Sequence, residues 1–289
     1  MEDVNIPAVD GYPLAGTLFR GGSQLIIVSS ATATPRRFYA SFAQFLAENG
    51  YTVLTYDYRG IGDSAPDSLR GFTAKMSDWA LRDMDGVIAW ASAELKPSKL
   101  ILIGHSIGGQ SAGMLERRQL VDALVTVSAQ SGYWRLQGKG EVVKTLFYVT
   151  VLMPLLTRIV GYFPWSWFGS AEDLPAGVAQ QWTRWCRQPG YLLDDSRLPL
   201  DRYATFSAPV LAYSIDDDAW GTARSVDAMM GAYPNVTRRH IVPAHHGLQK
   251  VGHFGFFRPT AQPLWQDVLL WLGKDAVVHL ASLSSPAKP

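Results

Sequence analysis

Five short apolar runs, each separated from the next by a helical pattern or by loop residues, constrain this chain more than any other feature. They are Gln24–Ser30 (QLIIVSS), Thr52–Arg59 (TVLTYDYR), Lys99–His105 (KLILIGH), Ala123–Gln130 (ALVTVSAQ) and Pro209–Ile215 (PVLAYSI). Strands that are apolar almost throughout, rather than at every second residue, are buried on both faces, as in a parallel sheet. Parallel strands need crossover connections, and the intervals supply them. Pro35 opens a helical pattern that stops at Gly50, Pro in the first turn and Gly past the last being the favoured arrangement. Met76–Leu95, the SAGMLERRQL stretch and Leu264–Gly273 are further helices. The predicted architecture is a three-layer α/β/α sandwich around a mostly parallel sheet, with an antiparallel hairpin (VDGYPLAGTLF) at one edge.

The run at Lys99 ends in Gly104-His105-Ser106-Ile107-Gly108-Gly109. A serine hydroxyl is a poor nucleophile unless a base takes its proton and its oxygen projects clear of the backbone. A sharp turn from strand to helix achieves the projection, and it tolerates only small neighbours, hence a glycine on each side at two residues' distance. The helix starting at Ile107 aims free N–H groups at the same point, where an oxyanion would form. G-x-S-x-G alone is a weak signal; an apolar run before it and a helical pattern after it make it specific.

The interval Tyr133 to Arg197 breaks the rhythm. It has no clear strand and holds Trp134, Trp165, Trp167, Trp182 and Trp185, half of the chain's 10 tryptophans. It reads as a helical cap, residues 133–197, inserted into a core made of 1–132 and 198–275, with a small-residue tail at 276–289. Within the cap, Val142–Val160 is as long and apolar as a membrane span, but Lys144 and Arg158 would each be costly near a bilayer centre. A buried or cavity-covering helix pair broken at Pro154 is expected instead. A formal net charge of +1 gives no general attraction to nucleic acid. The single cysteine, Cys186, and an acidic, proline-broken N-terminus point to the cytoplasm.

Four stretches, DYRGIGDS (Asp57–Ser64), GHSIGG, PVLAYSIDDDAW (Pro209–Trp220) and GHFGFF (Gly252–Phe257), resemble the α/β-hydrolase family, and the resemblance covers most of the chain. It implies a nucleophile, an acid and a histidine in that chain order. Ser106 is the nucleophile. Reading Ser214 in the place of the family's glycine selects Asp217 as the acid, with Asp216 and Asp218 as neighbouring registers. His253 lies where the family's histidine sits; His245 and His246 share its loop, His105 is a packing or hydrogen-bonding residue, and His240 and His279 are structural. Arg59 and Asp63 read as turn residues. The resemblance also implies an oxyanion hole, here the backbone of Ile107 with Ala31 or Thr32, although the His-Gly pair of many members is absent. Trp134, Trp165, Trp167, Trp220 and Phe254 are the expected pocket residues. No metal ligand set, phosphate loop or cofactor motif is present. The expected activity is cleavage of an ester-like acyl bond in a small, apolar substrate, with acyl transfer, thioester cleavage or a silent binding protein as the rivals.

Overall fold

The computed structural model describes residues 1–169 and 171–283, with side chains as far as Gly273. Its centre is an eight-stranded sheet: β1 (Glu2–Pro7), β2 (Pro13–Phe19), β3 (Gln24–Ser29), β4 (Thr52–Tyr56), β5 (Lys99–His105), β6 (Ala123–Val127), β7 (Val210–Ile215) and β8 (Val236–Ile241). The spatial order is β1-β2-β4-β3-β5-β6-β7-β8. From β4 to β8 every neighbouring pair is parallel, while β1–β2 and β2–β4 are antiparallel, so the expected edge hairpin is there.

Alternation of side chains divides each apolar run between two cores. Leu25, Ile27, Leu100, Leu102 and Leu124 face one side, and Ile26, Val28, Ile101, Ile103 and Val125 the other. The second side is closed by α1 (Ala40–Glu48), through Phe42 and Leu46, and by the last helix, through Leu264, Trp265 and Val268. The first is closed by a helical segment over residues 76–94, through Met84, Val87, Ile88 and Ala91. This makes the three layers. The turn after α1 needs Gly50, whose φ is +91°.

Three expectations change. The helix after Ser106 is short: α2 (Ile107–Gln110) tightens over Ser111–Met114 and ends. Tyr233 Oη takes the Gly113 N–H and donates to the Gly109 carbonyl, while Tyr203 Oη donates to the Gln110 carbonyl. These phenols replace the hydrogen bonds a longer helix would have made.

The segment Val142–Val160 is one helix, α3, not a pair broken at Pro154. A π-helical turn at Tyr148–Leu152 precedes the proline, and its wider ring takes up the missing N–H and the bulk of the pyrrolidine. Nor is it buried, since most of it is uncovered.

The last helix, Gln262–Leu283, is longer than expected and runs into the stretch read as a tail; residues 284–289 of that tail and the His279 side chain lie outside the described residues. The interval 133–197 contributes nothing to the main sheet and holds one small hairpin, Tyr162–Phe163 against Leu174–Pro175. Its Val149, Met153, Val178 and Trp185 belong to the same core as Leu102 and Leu124. The insertion is therefore packed into the body of the fold.

Candidate active site

Ser106 follows β5 directly and caps the N-terminus of α2 with φ +50° and ψ −116°. A side chain held in that region costs about 1–3 kcal/mol, and strain of this kind persists only where the surroundings impose it. The imposing contacts are identifiable. A Cβ on Gly104 would lie 2.3 Å from the Gly109 nitrogen, and one on Gly108 would lie 2.3 Å from the Ser29 carbonyl oxygen. The glycines let α2 press against β3 and β5, and that close approach turns the serine outward.

His253 stands in a short helical turn, Gly252–Gly255, beyond β8. Its Nδ1 lies 2.8 Å from Asp218 Oδ2, with the imidazole almost buried and the carboxylate fully so. A carboxylate only accepts, so Nδ1 carries the proton, and Nε2 of the neutral ring is left as an acceptor. The other Asp218 oxygen receives the N–H groups of Trp220 and Gly221 at 2.9 and 2.8 Å. Burial alone would raise this carboxyl, but the charge and hydrogen bond of His253, with the Gly221 N–H, hold it down to about 2.

The acid on the histidine is thus Asp218 and not the expected Asp217. Asp217 accepts the backbone N–H groups of Val251 and Gly252 at 2.9 and 2.8 Å, so it anchors the loop that carries His253. Asp216 faces His240 at 3.3 Å on the surface. The register is set by a tight turn, in which the Asp218 N–H returns to the Ile215 carbonyl at 3.1 Å. A glycine does mark the position, but on the far side: a Cβ at Gly221 would come within 2.4 Å of Asp218 Oδ2.

The expected donors of the oxyanion hole separate in the same way. Ile107 is the first residue of α2, so its N–H has no acceptor within the helix. Thr32 lines the cavity beside Ser106. Ala31 drops out: its N–H is spent on Tyr39 Oη at 2.9 Å. That phenol continues a buried chain. Tyr39 Oη meets His105 Nδ1 at 2.8 Å, and His105 Nε2 meets the His253 carbonyl at 2.9 Å. Because a carbonyl only accepts, His105 carries its proton on Nε2 and accepts from Tyr39 at Nδ1. His105 is therefore a neutral strut between the loop after β3 and the backbone of His253. Arg59 is structural as expected, tied to Asp10 and Asp83, and Asp63 pairs with Arg36.

Burial, aided by the nearby His253, pushes the His105 imidazole down to about 3. An unfolded histidine near 6.5 takes up a proton that the folded one refuses, so stability should fall as pH drops from about 6.5 toward 3. The expected slope is up to about 1.4 kcal/mol per pH unit. Denaturant titrations at several pH values check this: His105→Gln should show a shallower acid slope than the native chain, and an unchanged slope would contradict the assignment.

Ser106 opens on a cavity of about 300 Å³ lined by Thr32, Gln110, Gln130, Gln137, Tyr148, Val149, Met153, Trp165, Trp182, Cys186, Tyr191 and Trp220, among others. Trp165 and Trp220 are thus where the sequence suggested. Trp134, Trp167 and Phe254 are not among the lining residues. Trp167 points to solvent, Trp134 lies under the Arg135 guanidinium, and Phe254 packs edge-on against His105 and His253. Most of the lining, including the three glutamines, Glu141, Lys144 and Tyr148, carries no periodic or motif signal in the sequence, and only the fold gathers it.

Over residues 25–262 the sequence matches the model of the alpha/beta hydrolase family. No curated protein matches the chain. Solved structures of similar fold include an esterase from Exiguobacterium antarcticum at 18% identity and TM-score 0.62, covering 94% of this chain and 100% of that one. Est1E from Butyrivibrio proteoclasticus, with ferulic acid bound, is similar at 16% identity and TM-score 0.62, covering 95% and 99%. A thermophilic esterase from Thermogutta terrifontis, with malate bound, gives 17% identity and TM-score 0.60, with the same coverages.

Proposed function

Because this chain belongs to the alpha/beta hydrolase family, we propose that it is a serine hydrolase cleaving an ester-like acyl bond through an acyl-enzyme. The observation that carries the reading is a serine at positive φ on a strand-to-helix turn, in one chain with a histidine whose Nδ1 is held by a buried carboxylate. Ser106 Oγ attacks the substrate carbonyl carbon while His253 Nε2 takes its proton. Asp218 keeps the imidazole in the right tautomer and stabilises it when charged. The N–H groups of Ile107 and Thr32 receive the developing oxyanion. The imidazolium then protonates the leaving alcohol, and a water activated by His253 releases the acid and restores Ser106.

The cavity supports a small substrate that is apolar over most of its surface, since Tyr148, Trp165, Trp182 and Trp220 supply aromatic walls. The esterases of similar fold support the same bond class. A cytoplasmic location goes with this reading, supported by the single, buried Cys186. The test is rapid-mix kinetics with short aryl esters. A burst of about one equivalent of phenol per enzyme, followed by slower turnover, is expected of an acyl-enzyme. Absence of both burst and turnover across aryl esters of varied acyl group would overturn the proposal.

A further inference from the structure

Helix α3 separates the cavity from solvent, and its two sides differ in what they do. One side carries Lys144, Thr145, Tyr148, Val149 and Met153 into the cavity wall. The other exposes Val143, Phe147, Val151, Leu155 and Ile159, from 46% to 75%. These five recur at steps of four. On a regular α-helix a step of four drifts by about 40°, which would wind the stripe around the axis. The wider π-helical turn at Tyr148–Leu152 takes part of that drift back. The outward stripe therefore runs along one face for the length of the helix, about 28 Å at 1.5 Å per residue. Exposed Phe168, whose ring meets that of Tyr148, and exposed Trp167 extend the apolar surface sideways.

The charges of the stretch that carries this face are one-sided. Residues 133–169 hold Arg135, Lys139, Lys144 and Arg158 against the single acid Glu141, a net of +3 in a chain whose total is +1. Among the described residues only Lys144 of these four is ion-paired, to Glu141, and that pair stands at the cavity, which leaves Arg135, Lys139 and Arg158 without an acid. The acids that follow, Glu172 and Asp173, are occupied by Arg37 and by the Ser166 N–H.

We propose that this face seats on an anionic lipid surface, with α3 lying flat, its apolar stripe at the acyl boundary and its cations among the headgroups. A membrane-spanning pose does not fit, because Val149, Met153 and Thr157 on the inner side are buried against the rest of the protein. A second copy fits less well: two-fold pairing through α3 would bring the cations of this stretch in one chain against the same cations of the other. An outward stripe beside the cavity would also bring a lipid-dissolved substrate to the protein, but the proposal stands whether or not Ser106 is catalytic.

The experiment is sedimentation of the full chain with vesicles of phosphatidylcholine, alone or mixed with phosphatidylglycerol. The native chain and Ser106→Ala should bind the anionic vesicles equally, with weaker binding to pure phosphatidylcholine and release by salt. Phe147→Ser/Leu155→Ser and, separately, Lys139→Glu/Arg158→Glu should each lower the vesicle partition coefficient by roughly tenfold or more while unfolding at the native temperature. Three results would overturn the proposal: no binding by the native chain, binding unchanged in both double variants, or a concentration-dependent dimer that Phe147→Ser/Leu155→Ser dissociates.

Discussion

Asp218→Asn should lower kcat/KM by about 10³–10⁴-fold in a protein that still folds. One carboxylate oxygen of Asp218 already receives two backbone N–H groups, from Trp220 and Gly221. An asparagine would therefore keep its carbonyl there and turn its NH₂ toward His253. The imidazole would then accept at Nδ1 and carry its proton on Nε2, where it can no longer receive one from Ser106. Asp217→Asn is the matched control. It would set an NH₂ against one of the N–H groups of Val251 and Gly252, costing about 1–3 kcal/mol of stability. Its activity should stay within about tenfold of the native value, because the loop keeps one of the two bonds. Steady-state kinetics and denaturant midpoints on the pair separate the roles. The reverse ranking would return the acid to Asp217.

His253→Ala should be the more severe change, with kcat reduced by about 10⁴–10⁶-fold, the range expected when the member of a triad that moves the proton is removed. The fold should survive, since the bond from His105 reaches the His253 carbonyl and not its ring. The cost falls on Asp218, which keeps its two N–H donors but loses the imidazole that holds its carboxyl low. With burial opposed by less, that carboxyl should titrate higher, so the variant should be less stable at neutral pH and should lose less stability than the native chain on acidification below about pH 4. Residual hydrolysis should show no titration across the neutral range. Activity above about a tenth of native would remove His253 from the role of general base.

The parts of this fold and site that were legible in the sequence are those governed by local sterics and period. β3 to β7 read as strands because parallel burial demands continuous apolar runs, and Gly104, Ser106 and Gly108 read as a turn because only small residues permit it. The register of the acid was not local. Asp216, Asp217 and Asp218 are equivalent in composition, and what separates them is how tightly the chain turns after Ile215 and which backbone N–H groups lie opposite. Ala31 failed as an oxyanion donor for a similar reason: nothing in SSATATP announces that Tyr39, eight residues on, will claim its N–H. Val142–Val160 could have been span, core or cavity wall on composition alone. Its two-faced character emerges only when one side is packed against Ser106's cavity and the π turn aligns the other. Trp134 and Trp167 show the converse limit, since aromatic enrichment marked the insertion without locating its pocket.

The most direct measurement is covalent labelling of the purified chain with a fluorophosphonate, with the adduct located by peptide mass spectrometry. An activated serine should give one adduct, on Ser106, that is lost in Ser106→Ala, strongly slowed in His253→Ala and Asp218→Asn, and retained in Asp217→Asn. A folded chain that stays unlabelled, or one labelled at Ser106 equally fast without His253, would contradict the account.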